Sequence, residues 1–178
     1  EAGILQFGAE LFSLVEQDNR KSILLNFDGV VLATHTQAIA FPQPASAIAE
    51  IARFAKVQLA ALSTEQRQAF LGFGIAMPWF IGAWRDELGV SADQARDWER
   101  ADVEAAFRSG LDGPVFFEND GNAAALAELL CGAGLGVDNY LYFHIGTFVG
   151  GGLVLGGQIH QGRHGNAGAL ASMPAPGP

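Results

Sequence analysis

The segment that most constrains the fold is PVFFENDGNAAALAELL, residues 114–130. A short apolar run, typical of a buried strand, is followed by three polar residues and then by alanine-rich, helix-forming sequence. A strand that leads directly into a helix is a basic unit of α/β layer folds. We therefore predict a strand at Val115–Phe117, with Asp120 at its C-terminal end and a helix that starts within two residues of Asp120.

That helix carries a single charge, Glu128, and is rich in alanine. Such a helix can be buried on nearly all sides. We expect it to pack deep in the protein, and the lone Cys131 at its end to be a buried thiol. One cysteine excludes an internal disulfide and a cysteine-rich zinc site.

The first third of the chain predicts an antiparallel meander, because Asp28-Gly29 between two apolar runs is a strong hairpin signal. Apolar residues then recur at helical spacing from Ile48 to Leu62, which predicts an amphipathic helix. The segment GFGIAMPWF predicts a buried strand. The sequence from Ser91 to Gly110 predicts one or two helices, and Gly156-Gly157 predicts a two-residue hairpin turn. The fold class is therefore α/β, with at least part of the sheet parallel.

Composition excludes two classes of function for these 178 residues. Apolar residues make up 49%, yet the uncharged run from Ala69 to Trp84 is short for a membrane span and contains Pro78. The formal charge is −9 and the only lysines are Lys21 and Lys56, so no basic surface for nucleic acid is expected. Since no signal peptide is recognisable, we expect a cytoplasmic protein that contacts no membrane.

Asp120 has two interpretations. A carboxylate at a helix start can accept hydrogen bonds from the free N–H groups of the first turn. It can also face a ligand at the end of a strand, where open α/β sheets bind ligands, and take a proton from an attacking hydroxyl while Asn119 orients the same polyol.

The glycine cluster GTFVGGG, residues 146–152, also has two interpretations. Its backbone N–H groups and the Thr147 hydroxyl could cradle phosphates, with Gly146, Gly150 and Gly151 allowing close approach. Alternatively, the glycines serve a bulged or tightly packed hairpin. Among the other candidates, His160 and His164 flank a glycine-rich loop, whereas His144 and Trp98 are predicted to lie in the core.

In this order, ENDGNAAALAE, NYLYFHIGTFVGGGLVLGGQIHQG and HGNAGA resemble the ROK family, which contains bacterial sugar kinases and sugar-responsive transcription regulators. The resemblance implies the two-lobed, actin-like (ribonuclease H-like) ATPase fold, with residues 1–121 in the N-terminal lobe and 122–178 beginning the C-terminal lobe. It implies a sugar site in the cleft between the lobes. The substrate-binding residues would be Asn119, Asp120, His164 and Ser172, and in a kinase Asp120 would be the catalytic base.

The departures from the family pattern argue against a kinase. The D-x-G-G-T phosphate and metal motif aligns with QFGAE, so Gln6 stands for the Asp and Glu10 for the Thr. The A-G-E-x-G-H motif reads AGALAS, so Ala169 replaces a sugar-binding Glu and Ser172 replaces a His. With the zinc loop C-x-C-G-x-x-G-C also absent, we expect no bound metal.

We therefore predict the sugar-sensing domain of a ROK-type transcriptional regulator that requires no cofactor. Its DNA-binding module would lie outside this chain, and the full-length protein would be a homo-oligomer. The alternative is a glucokinase-like sugar kinase, which would use ATP and Mg²⁺ bound at Gly146, Thr147, Gly150 and Gly151.

Overall fold

The computed structural model describes residues 3–8, 19–26, 30–38, 43–79, 85–145 and 149–170. Its elements, in chain order, are β1 (Gly3–Gly8), β2 (Asn19–Asn26), β3 (Val31–Ala38), α1 (Pro44–Ala61), α2 (Thr64–Gln68), β4 (Phe73–Met77), α3 (Arg85–Leu88), α4 (Ala92–Arg100), α5 (Val103–Gly110), β5 (Val115–Asn119), α6 (Asp120–Cys131), β6 (Tyr140–Ile145), β7 (Val149–Leu155) and β8 (Gln158–Ile159). The chain divides into two compact units, Glu1–Phe117 and Glu118–Pro178. This division falls four residues before the lobe boundary expected after residue 121.

The first unit is built on a sheet with the strand order β3-β2-β1-β4-β5. β2 pairs antiparallel with both β1 and β3, which confirms the predicted meander. β1 pairs parallel with β4, which confirms the predicted parallel component of the sheet. The Asp28-Gly29 turn lies outside the described residues.

The core of the first unit lies between this sheet and the helices α1 and α5. Helix α1 buries Ile48, Ile51 and Ala55, which share one face because they recur at helical spacing. β4 buries Phe73, Ile75 and Met77, as predicted for the GFGIAMPWF segment. Trp98 of α4 is also buried, which confirms its predicted place in the core.

Hydrogen-bonded caps set the helix starts in the predicted two-helix segment. The Ser91 side chain accepts from the backbone of Gln94, whose side chain accepts in return from the Ser91 N–H. This capping box begins α4, and the Asp102 carboxylate caps α5 by accepting from Ala105. α5 ends at Gly110, as predicted. No helix in the described part of the chain is both long and apolar enough to cross a membrane.

In the second unit, α6 packs against an antiparallel sheet of strand order β6-β7-β8. Gly156 and Gly157 have φ values of 59° and 73°, in the left-handed region that suits a two-residue hairpin turn, as predicted. A Cβ atom added to Gly121 would overlap the carbonyl oxygen of Gly151, and one added to Gly152 would lie 2.5 Å from Cβ of Ala125. Glycine therefore lets α6 and β7 approach closely.

Three burial predictions for this unit are wrong. Leu130 is 66% exposed and Cys131 is exposed, because α6 buries only the face formed by Gly121, Asn122 and Ala125. The scarcity of charged residues in α6 does not therefore indicate burial on all sides. His144 is exposed on β6, where only Tyr140 and Tyr142 are partly covered.

Candidate functional site

The junction of β5 and α6 forms the centre of the site. β5 ends at Asn119 and α6 begins at Asp120, which confirms the predicted strand, polar triplet and helix start. Oδ1 of Asn119 accepts hydrogen bonds from the backbone N–H groups of Gly121 at 3.0 Å and Asn122 at 3.3 Å. The N-cap of α6 is therefore Asn119, and not Asp120 as one of the two interpretations of the sequence had it.

Asp120 is left with a partly free carboxylate. Its Oδ1 accepts from the Gly121 N–H at 3.0 Å, and Oδ2 has no hydrogen-bond partner in the described part of the chain. Burial raises the pKa of Asp120, since desolvation disfavours the charged form. The hydrogen bond from the Gly121 N–H and the electrostatic influence of His144 act in the opposite direction on the pKa of Asp120. The result is a partly buried proton acceptor of increased basicity at a strand end.

Glu118, which the sequence analysis did not single out, accepts hydrogen bonds from residues near the junction and from a residue far along the chain. Its Oε1 accepts from the backbone N–H of Asn119 at 2.8 Å and from Nδ2 of Asn122 at 3.0 Å. Its Oε2 accepts from Nε2 of Gln161 at 2.5 Å. The helical i,i+4 rule does not predict the contact with Asn122, because Glu118 lies on β5 and only Asn122 lies on α6, and no local pattern points to Gln161.

Asn122, which the sequence analysis also missed, has a buried side-chain oxygen that none of the described residues contacts through a hydrogen bond. The residue is 1% exposed, and its Nδ2 donates to Glu118 and, at 3.4 Å, to the carbonyl oxygen of Gly165. Its Oδ1 is buried and accepts no hydrogen bond from the described residues. A buried acceptor of this kind calls for a donor such as a water molecule or a ligand hydroxyl.

The predicted phosphate-binding glycines are only partly described, since Gly146 and Thr147 lie outside the described residues. Gly151 is buried on β7, where an added Cβ would overlap the carbonyl oxygen of Tyr142. An added Cβ at Gly150 meets no atom within 4 Å. Gly151 therefore has a packing reason to be glycine, while Gly150 has space around it.

The predicted loop histidines are both exposed. His164 lies in the turn region after β8, and the backbone N–H of His160 donates to Leu153 at 2.8 Å. The contact between Asn122 and Gly165 joins the residue after His164 to the start of α6. Ser172 lies outside the described residues. In the described ranges, no three His, Cys, Asp or Glu residues are grouped so that they could hold a metal ion.

Comparison with known proteins assigns the chain to a family. The family model described as "ROK family" matches residues 18–176. The chain belongs to the ROK family. Its fold is accordingly the α/β, actin-like ATPase fold of the ROK sugar kinases and regulators.

ROK relatives of two kinds resemble this chain. The xylose repressor of Bacillus subtilis is 30% identical over 103 residues, which cover 58% of this chain and 26% of the repressor. The glucokinase of Halalkalibacterium halodurans is 49% identical over 109 residues, which cover 61% of this chain and 32% of the kinase. Among solved structures, a ROK transcriptional regulator homologous to the E. coli Mlc protein has a TM-score of 0.64 at 25% identity.

That regulator match covers 95% of this chain and 40% of the regulator. The chain thus spans between about a quarter and two fifths of the length of these ROK proteins. The relatives include both regulators and kinases, so membership of the ROK family does not by itself choose between sensing and catalysis.

Proposed function

We propose that this ROK chain is the sugar-sensing part of a bacterial transcriptional regulator, and that it binds a small sugar through Asn119 and Asp120. The observation that carries the proposal is Oδ2 of the partly buried Asp120, which accepts no hydrogen bond from the described residues and lies where β5 meets α6. Because Asn119 caps the helix, the Asp120 carboxylate is available to a ligand.

Sugar hydroxyl groups suit this arrangement. Each hydroxyl donates one hydrogen bond and accepts others, and a carboxylate beside an amide supplies both acceptors and a donor. Partial burial strengthens such bonds, since water competes less for the same atoms. His164 and Ser172 are proposed as further contacts through the family resemblance.

Sensing is favoured over catalysis by the residues at the family's motif positions. Gln6 lies on β1, where the resemblance aligns it with the family's metal-orienting Asp. An amide is a weaker ligand than a carboxylate for Mg²⁺, which phosphoryl transfer needs close to the phosphates. Ala169 likewise lacks the carboxylate of a sugar-binding Glu. We propose that the sensing domain needs no cofactor and holds no metal.

A sugar kinase is the second candidate, because the glucokinase of Halalkalibacterium halodurans shares 49% of 109 aligned residues with this chain. The raised pKa of Asp120 would suit a general base that takes the proton of a sugar hydroxyl. ATP and Mg²⁺ would then bind at Gly146, Thr147, Gly150 and Gly151. The two functions make opposite predictions for sugar-dependent ADP release.

The remaining partners belong to the full-length protein. With a charge of −9, this chain offers little attraction to DNA, so operator binding would fall to a module outside it. Sugar binding would bias that module through a difference in sugar affinity between two conformations. We propose a cytoplasmic homo-oligomer, the arrangement that the family resemblance implies.

Calorimetric titration of the full-length protein with a panel of sugars and sugar phosphates tests the proposed site. Asp120→Asn should weaken binding of the recognised sugar by about 1 to 3 kcal/mol, because a charge-assisted hydrogen bond is lost. The same substitution at the exposed Asp112 is the control and should leave affinity unchanged. Equal sugar affinity in the wild type and Asp120→Asn would contradict the proposed site.

A further inference from the structure

The Glu118 carboxylate joins two segments that lie far apart in the sequence. One is the junction of β5 and α6, where the Asn119 N–H and the Asn122 side-chain amide donate to Oε1. The other begins at Gln161, 43 residues later, whose Nε2 donates to Oε2 at 2.5 Å. Donors from both segments thus converge on one side chain.

A second contact holds the same two segments together. Nδ2 of Asn122 donates to the Gly165 carbonyl oxygen at 3.4 Å, and the Ala167 N–H donates to the Gln161 carbonyl oxygen at 3.0 Å, the length of an ordinary N–H···O bond. The segment 161–167 is therefore closed by its own backbone and attached at two points to the junction of β5 and α6, through Glu118 of β5 and Asn122 of α6. His164 lies between those two points.

We propose that Glu118 is a positioning residue for the sugar site: through Gln161 it fixes segment 161–167, and with it His164, against the helix start that carries Asn119 and Asp120. The inference deepens the proposed sugar site and rests on it. Glu118 acts through the hydrogen-bond pair with Gln161, and the sugar itself is contacted by the residues that this pair holds in place.

The pair can be tested by exchanging its members. Gln161→Glu places two carboxylates in contact, so their repulsion should break the link. In Glu118→Gln the new amide keeps an oxygen for Asn119 and Asn122, and a flip of the Gln161 amide restores the second hydrogen bond. Combining the two substitutions returns an amide opposite a carboxylate, with donor and acceptor reversed.

Sugar affinity and backbone hydrogen exchange of residues 161–167 should be measured on the full-length wild type and these three variants. We expect Gln161→Glu to weaken sugar binding about fivefold and to speed exchange in the segment. Glu118→Gln should stay within about twofold of the wild type, and the double variant should recover both readouts. Gln158→Glu, the same charge change on exposed β8, is the control and should alter neither.

An unchanged affinity and exchange rate in Gln161→Glu would overturn the positioning role. So would a double variant no better than Gln161→Glu, since a general charge effect or partial unfolding would not be reversed by the exchange. If the wild type binds none of the sugars, the proposed function fails. Hydrogen exchange then decides by itself whether Glu118 and Gln161 hold the segment.

Discussion

Burial of the Asp120 carboxylate links its ionisation to the stability of the fold. Its pKa in the folded protein lies above the ordinary value of 3.8, chiefly through desolvation. Between 3.8 and the raised value, the folded state holds a proton that the unfolded state has released. The stabilisation from this proton is fully present below pH 3.8 and is lost as the pH rises through the folded-state pKa.

Asp120→Asn removes this pH dependence. The free energy of unfolding of the variant, relative to that of the wild type, should increase as the pH rises above 3.8 and then level off above the raised pKa. Urea unfolding at a series of pH values from about 3 to 7 measures it, with Asp112→Asn as the reference for loss of a surface charge. A difference that stays constant over this range would show that the Asp120 pKa is not raised.

Asn122 provides a second test at the residue scale. Asn122→Asp would bury a carboxylate whose neighbours, Glu118 and the Gly165 carbonyl oxygen, are both acceptors. We expect the free energy of unfolding to fall by about 2 to 4 kcal/mol. At Asn139 the side-chain oxygen accepts from the Gly156 N–H on the surface, so Asn139→Asp keeps its bond and should change stability by less than about 0.5 kcal/mol. Similar losses in both variants would argue against the buried network.

At the scale of elements, the close packing of α6 on β7 depends on glycine. An added Cβ at Gly121 meets backbone atoms of Gly151, which cannot move aside as a flexible side chain could. An added Cβ at Gly150, the neighbour of Gly151 in β7, meets nothing within 4 Å. The two glycines form a matched pair for testing this interface.

Gly121→Ala should therefore lower the free energy of unfolding by about 2 to 3 kcal/mol, whereas Gly150→Ala should change it by less than about 0.5 kcal/mol. Urea unfolding of the two variants measures the difference. If Gly121→Ala is as stable as Gly150→Ala, then α6 and β7 do not approach as closely as the structure shows.

Local patterns were sufficient to predict most elements but not how their faces are buried. Apolar runs and turn residues predicted β4, the meander and the Gly156-Gly157 turn, because each signal acts over a few residues. The exposure of Leu130 and His144 was not predictable, since burial depends on which distant elements cover a face. A helix with few charged residues can still leave one side exposed to solvent.

For the whole molecule, the ordered motifs predicted the ROK family, and the family match over residues 18–176 confirms it. The same motifs directed attention to Asn119 and Asp120 at the β5 and α6 junction. The contacts of Glu118 with Gln161 escaped prediction because 43 residues separate the partners, and only the folded chain brings them together. The relatives that resemble this chain include both regulators and kinases, so the function needs a direct measurement.

Sugar binding without phosphoryl transfer is tested most directly by ADP release from the full-length protein. The assay supplies ATP, Mg²⁺ and a saturating concentration of the sugar that titration identifies. We predict that the sugar adds nothing to the rate of ADP release and that the wild type and Asp120→Asn are indistinguishable. Steady sugar-dependent ADP release by the wild type, lost in Asp120→Asn, would contradict the sensing function and show that the protein is a sugar kinase with Asp120 as its base.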